Sequence, residues 1–135
     1  KERAQSVKRG NGTLMDEPSF RAKIAELEID LMAAEYTELR SLASASSGAA
    51  PGPESSILKL KGTEIQQRIQ KLTVEAGGIY AAAWGSAKAG PSFAKGGMGG
   101  YLSSRAYTIY GGASEVQKDV IAKNVLGLKS GRKAK

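Results

Sequence analysis

The stretch Arg105 to Leu128, RAYTIYGGASEVQKDVIAKNVLGL, carries the clearest structural punctuation in the chain. A helix over Tyr101 to Ile109 leads into it, with Leu102, Arg105 and Ala106 near its middle. Gly111-Gly112 breaks that helix, because glycine readily takes the left-handed conformation that ends one. Ser114-Glu115-Val116-Gln117 then matches a capping box, with Ser at the cap and Gln three residues on. The last helix carries Val116, Val120, Ile121 and Val125, and Gly127 ends it. The corner so formed has two readings. It is a tight turn between helices, or it is a binding feature, since a helix N-terminus offers free N–H groups and a positive dipole end to an anionic or electron-rich ligand group.

Upstream, Asp16 is placed to cap a long helix, Glu17 favours its positive end and Pro18 fits its first turn. Phe20, Ile24, Leu27 and Leu31 follow at helical spacing, and Ala34, Leu39 and Leu42 extend the face. The spacing predicts one amphipathic helix from Pro18 to Ala43. Ser44 to Pro53, SASSGAAPGP, reads as a mobile connection. Glu54, Ser55 and Ser56 open a second helix with the stripe Leu58, Gly62, Ile65, Ile69, Leu72 and Ala76. Gly62 on that stripe predicts close approach of a neighbouring helix. Gly77-Gly78 stops the helix. Residues 79–100 are the least readable part, and Lys95 to Gly100, KGGMGG, follows no strand signal, so it reads as a flexible loop rather than a phosphate cradle. No clean alternating run marks a strand. The expected fold is all-α, an antiparallel, up-and-down four-helix bundle. The expected organisation is a basic lead-in over residues 1–17, the bundle over 18–128 and a basic flexible tail over 129–135.

The chain has 135 residues, 20 Lys plus Arg against 13 Asp plus Glu, and neither Cys nor His. That composition excludes disulfides, thiolate or imidazole metal sites, and Cys- or His-based catalytic triads. No metal site is expected. No apolar run approaches the roughly 20 residues of a membrane span, and no signal-peptide core is evident, so the expected location is cytoplasmic without a membrane partner. The chain opens Lys1-Glu2-Arg3-Ala4-Gln5 without an initiator Met, as a fragment or processed product would. Lys129, Arg132, Lys133 and Lys135 concentrate charge at the end, where a solvated terminus is the expected role. A nucleic-acid arm is the competing role, but no aromatic residues interleave with the basic ones, so a nucleic-acid partner is not expected.

The run Thr108 to Gln117, TIYGGASEVQ, with Ile121-Ala122-Lys123 and Val125 to Leu128, VLGL, resembles the C-terminal signature of the acyl-CoA dehydrogenase family, commonly I-Y-E-G-T-S-E-I-Q followed by an I-A-[KR] helix. Lys23 to Leu27, KIAEL, is similar to the K-L-A-D-M that begins the family's first long C-terminal helix, and Ser55 to Glu64, SSILKLKGTE, to the start of the next. The resemblance runs from Pro18 to Leu128. It implies the C-terminal four-helix domain of a longer subunit that also has an N-terminal helical domain and a middle β-domain. It further implies an FAD-dependent oxidoreductase of fatty acid metabolism that converts an acyl-CoA to its trans-2-enoyl-CoA. A base takes the α-proton, a hydride passes to FAD, and electrons leave to an electron-transfer flavoprotein. The subunits would form a homo- or hetero-oligomer whose core this domain builds.

Carried over residue by residue, Tyr110, Gly111 and Gly112 fall at the substrate site, and Ala113, Ser114 and Glu115 at the flavin, with Gly77 and Gly78 left from the family's Q-x-x-G-G. Gly111 stands where many members have the catalytic Glu, so no catalytic residue is expected in this chain. The base lies on an earlier part of the subunit, on a partner, or is lost. Ala113 replaces a flavin-contacting Thr but keeps a backbone N–H. Val7 stands at the Arg of the family's R-x-x-F-G, with Lys8 and Arg9 adjacent. The alternative function is a non-catalytic assembly subunit or module that kept the bundle and lost the base. By itself the fragment is expected to be inactive.

Overall fold

The computed structural model describes residues 1–48, 52–82 and 90–129. A short helix α1 (Glu2–Gln5) leads into a two-residue antiparallel ladder, β1 (Lys8–Arg9) with β2 (Gly12–Thr13), in which Lys8 lies opposite Thr13. Gly10, at φ +52°, makes the tight turn between them. The sequence shows no strand here because two residues per strand leave no alternation to detect. A 3-10 turn over Leu14–Asp16 follows.

Helix α2 spans Pro18–Ser46, three residues beyond the predicted end. Pro18 sits in its first turn, where a missing N–H costs no intrahelical bond. Asp16 is not its cap: the cap position is Glu17, with no side-chain bond. The Asp16 carboxylate closes the preceding turn instead, accepting from the Thr13 N–H at 2.7 Å and the Thr13 hydroxyl at 2.9 Å. Those two bonds hold its carboxyl below the ordinary value of 3.8.

Helix α3 spans Glu54–Gly77, and Gly78 at φ +53° ends it as the paired glycines predict. Lys23 of α2 pairs with Glu75 of α3, while Arg68 pairs with Asp30 and with Glu26. Low numbers on α2 thus meet high numbers on α3, so the two run antiparallel. The main core lies at this end. Phe20 and Ala76 join Ala4 and Leu14, with Val7, Met15, Ile24, Leu72 and Phe93 packed around them. Full burial of Phe20 contributes about 1.5–3 kcal/mol.

The third helix differs from its predicted bounds. A 3-10 segment (Ser92–Gly96) runs into α4 (Gly97–Ser103), which tightens into another 3-10 segment (Ser104–Thr108). The glycines of Lys95 to Gly100 are therefore mostly helical rather than a flexible loop. They resist reading because glycine carries neither helix propensity nor side-chain pattern. Gly62, expected to admit a close neighbour, has none within 4 Å of a Cβ position among the described residues. The close approach is at Gly77, where a Cβ would lie 2.9 Å from the Ala81 Cβ and 3.1 Å from that of Ala94. Helix α5 (Ser114–Asn124) completes the fold, and Gly127 at φ +65° turns the chain away beyond it. The fold is all-α apart from the small hairpin. The connection expected over Ser44 to Pro53 is helical through Ser46; its residues 49–51 lie outside the described residues, as do 83–89 of the 79–100 stretch and 130–135 of the basic tail.

Candidate functional site at the glycine corner

Residues 97–112 run antiparallel along α3. Gln67 donates its side-chain amide to the Ser104 carbonyl at 2.9 Å and to the Thr108 hydroxyl at 3.3 Å. Lys59, two turns earlier on α3, donates to the Tyr107 carbonyl at 3.2 Å and the Gly112 carbonyl at 2.5 Å. Ser104 is fully buried, and its hydroxyl donates to the Tyr101 carbonyl at 2.7 Å. By the helical period, Lys59, Thr63 and Gln67 share one face of α3, roughly opposite the Arg68, Leu72 and Glu75 face turned to α2.

After Thr108 the chain makes one more turn, with the Ile109 and Tyr110 N–H groups both donating to the Ala106 carbonyl. The Tyr110 ring meets the Tyr107 ring edge-on, centroids 5.7 Å apart, and is otherwise largely exposed. Gly111 and Gly112 then reverse the backbone at φ +64° and +96°. Both lie in the region that favours glycine. A Cβ at Gly111 would meet nothing within 4 Å among the described residues, whereas one at Gly112 would run into the Gln117 side-chain amide.

The expected capping box is not formed. Ser114 is already helical and buried, and the cap position belongs to Ala113, whose backbone is extended at φ −59°, ψ 151°. Among the described residues, no side chain caps the first turn of α5. Gln117 lies over Gly112 rather than reaching back to a serine cap. The Ala113 N–H itself donates to nothing among the described residues. Glu115 is exposed on the first turn, next to the positive end of the helix dipole.

Tyr110, Gly111, Gly112, Ala113, Ser114 and Glu115 are thus contiguous at one corner. Gly77 and Gly78 are not with them. Along α3 the distance from Lys59 to Gly77 is about 27 Å at 1.5 Å per residue. Gly77 is buried against Ala81 and Ala94. Gly78 is exposed, and a Cβ there would come 3.9 Å from the Arg9 guanidinium. Val7, the residue at the family's Arg position, packs on the core, and Arg9 of the hairpin, which also lies 3.8 Å from the Glu17 carboxylate, is the cation next to Gly78. The sequence signals Lys59 and Gln67 only as polar residues two turns apart on one helix face. Nothing in the sequence aligns Arg9 with Gly78, because the contact crosses the chain.

Residues 1–126 match the family described as acyl-CoA dehydrogenase, C-terminal domain. A solved structure, the ChsE4-ChsE5 complex from Mycobacterium tuberculosis, aligns with a TM-score of 0.76 at 27% identity. That alignment covers 96% of this chain and 33% of the other, so this chain spans about a third of the matched chain's length. No curated protein matches the sequence significantly. The match over nearly its whole length shows that the chain belongs to the acyl-CoA dehydrogenase family, as the C-terminal domain.

Proposed function

We propose that this domain forms one wall of the flavin and thioester site of an FAD-dependent acyl-CoA dehydrogenase and contributes to the core of its oligomer. The observation that carries the reading is the Ala113 N–H, a donor with no partner among the described residues, at the start of α5 behind two left-handed glycines. A donor there fits an electron-rich edge such as a flavin ring or a thioester carbonyl. Ala113, Ser114 and Glu115 would border the flavin, and Tyr110, Gly111 and Gly112 the thioester. FAD, when bound, accepts the hydride lost from the acyl β-carbon. Gly111 has no side chain and holds no proton, so the base that takes the α-proton would lie outside this chain, on a partner, or be lost. At the other end of α3, Arg9 and the exposed Gly78 would face the phosphates of a cofactor held by a neighbouring subunit, with Arg9 supplying the charge, while Gly77 is buried beneath them and packs the helix end.

The experiment is to express the domain with its upstream coding sequence and measure flavin content, then bleaching of the oxidised flavin band by a panel of acyl-CoAs without oxygen. Stoichiometric flavin with bleaching supports the reading. A flavin-free protein overturns it. Flavin without bleaching by any acyl-CoA supports the second reading, an assembly subunit without a base, which the bare Gly111 favours. The isolated 135-residue chain is expected to bind FAD far more weakly than the longer protein, since most of the family's flavin contacts come from the other domains.

A further inference from the structure

We infer that Lys59 is a positioning residue: its ammonium grips the Gly112 carbonyl from α3 and thereby aims the Ala113 N–H outward at the ligand. The geometry is local. The Gly112–Ala113 peptide is trans, as are all the described peptides. In a planar trans peptide the C=O and N–H point in opposite directions. Lys59 draws the carbonyl toward α3 at 2.5 Å, so the N–H on the same plane points away from α3. The second bond, to the Tyr107 carbonyl at 3.2 Å, ties both sides of the glycine break to one ammonium.

The arrangement acts at the most pliant point of the corner. Gly111 and Gly112 are the two residues with the most backbone freedom. The main apolar core lies at the far end of α3, around Phe20 and Ala76. No carboxylate pairs with Lys59 among the described residues, so its hydrogen-bonding capacity goes to backbone carbonyls. A charged donor to a carbonyl is among the stronger hydrogen bonds, which suits it to hold a peptide plane against thermal rotation.

The inference rests on the proposed flavin-facing role of the corner, and its test separates the two. The probe is FAD itself, titrated into the flavin-free form of the full-length protein, with the flavin absorption spectrum recorded at saturation. Ala113→Pro removes the N–H at a backbone φ of −59° that proline itself adopts. It is expected to weaken FAD binding about three- to tenfold, the usual worth of one neutral hydrogen bond, and to shift the flavin band. Lys59→Met is expected to do the same, and the double variant to be no worse than Ala113→Pro alone. Lys59→Arg, which keeps the charge and the donors, is expected to restore most of the affinity and the wild-type band position, and serves as the folding-tolerant arm should Lys59→Met fail to fold. If Ala113→Pro leaves affinity and spectrum unchanged, the flavin-facing reading of the corner fails and this inference with it. If Ala113→Pro acts but Lys59→Met does not, or the two losses multiply in the double variant, Lys59 does not act through that amide. If Lys59→Met does not fold and Lys59→Arg moves the band while keeping affinity, the aiming role is overturned as well.

Discussion

Glycine at 111 is demanded by backbone conformation and not by space. Its φ of +64° disfavours any Cβ, while the volume a methyl would fill is open. Gly111→Ala is therefore expected to cost about 1 kcal/mol of stability and to leave turnover of the proposed full-length dehydrogenase measurable, since no proton-transfer group is lost. Denaturant melts and steady-state rates at equal flavin content check this; complete loss of turnover with flavin retained would place a chemical role at the position. Gly112→Ala combines the same strain with a collision at Gln117, and should be the worse of the two. Asp16 gives a pH signature. Its carboxyl is held below 3.8 in the fold by Thr13, so it contributes stability that is complete above the unfolded value and is lost as pH falls through the folded one. Below about pH 4 the wild type should thus lose stability more steeply than Asp16→Asn, and parallel urea melts across pH 3 to 6 would expose a missing difference. Residues such as Gly78, Gly111, Gly112 and Gly127 were legible in the sequence because a positive φ all but names glycine. Lys59 and Arg9 were not, because each acts on a segment distant in sequence.

At the level of the elements, α2 and α3 are held by unequal forces. Arg68 bridges Asp30 and Glu26, but its side chain is 37% exposed, and such pairs are worth about 0–1 kcal/mol. Phe20, 3% exposed in the core, is worth about 3–5 kcal/mol on truncation to Ala. Arg68→Met should accordingly be nearly silent in a thermal melt beside Phe20→Ala, and the reverse order would mean that ion pairing rather than packing joins the helices. Gly77→Val tests the other contact. The backbone there is ordinary helix, φ −72°, so the expected cost of about 1–3 kcal/mol is steric, against Ala81 and Ala94. The long helices were legible because Pro18 and Gly77-Gly78 punctuate regular apolar spacing. The α4 region and the hairpin were not, since glycine-rich 3-10 segments and two-residue strands carry no period. The cap of α5 differs for a related reason: the S-x-x-Q spelling fits a box, but Ser114 is buried inside the first turn and the cap position falls one residue back, at Ala113.

Among the described residues of the whole molecule, one face is apolar and open. Ile29, Met32, Tyr36 and Leu39 recur at helical spacing on α2 and are 67, 56, 65 and 54% exposed. Leu31 and Leu42, expected in the core by their place on the predicted stripe, are also more than half exposed. The sequence stripe on α2 therefore mixed two faces, one for α3 and one for something else. A row of this kind on a lone domain marks a surface that another surface covers. No helix among the described residues is long and apolar enough to cross a membrane. The proposed oligomer core assigns the row to another subunit, while the chain's one-third share of the matched structure leaves the rest of a longer subunit as the competing cover. The two differ in what a charge does. Met32→Glu combined with Tyr36→Lys leaves the α3 face of α2 untouched, so helicity should persist in either case. Each of these side chains contributes about 1.5–3 kcal/mol when fully covered. If a second subunit covers them, sedimentation of the full-length variant should show the assembly splitting into smaller species at a largely retained melting temperature of the subunit. If the subunit's own other domains cover them, the mass stays and the melting temperature falls, and the oligomer-core role of this face is then refuted.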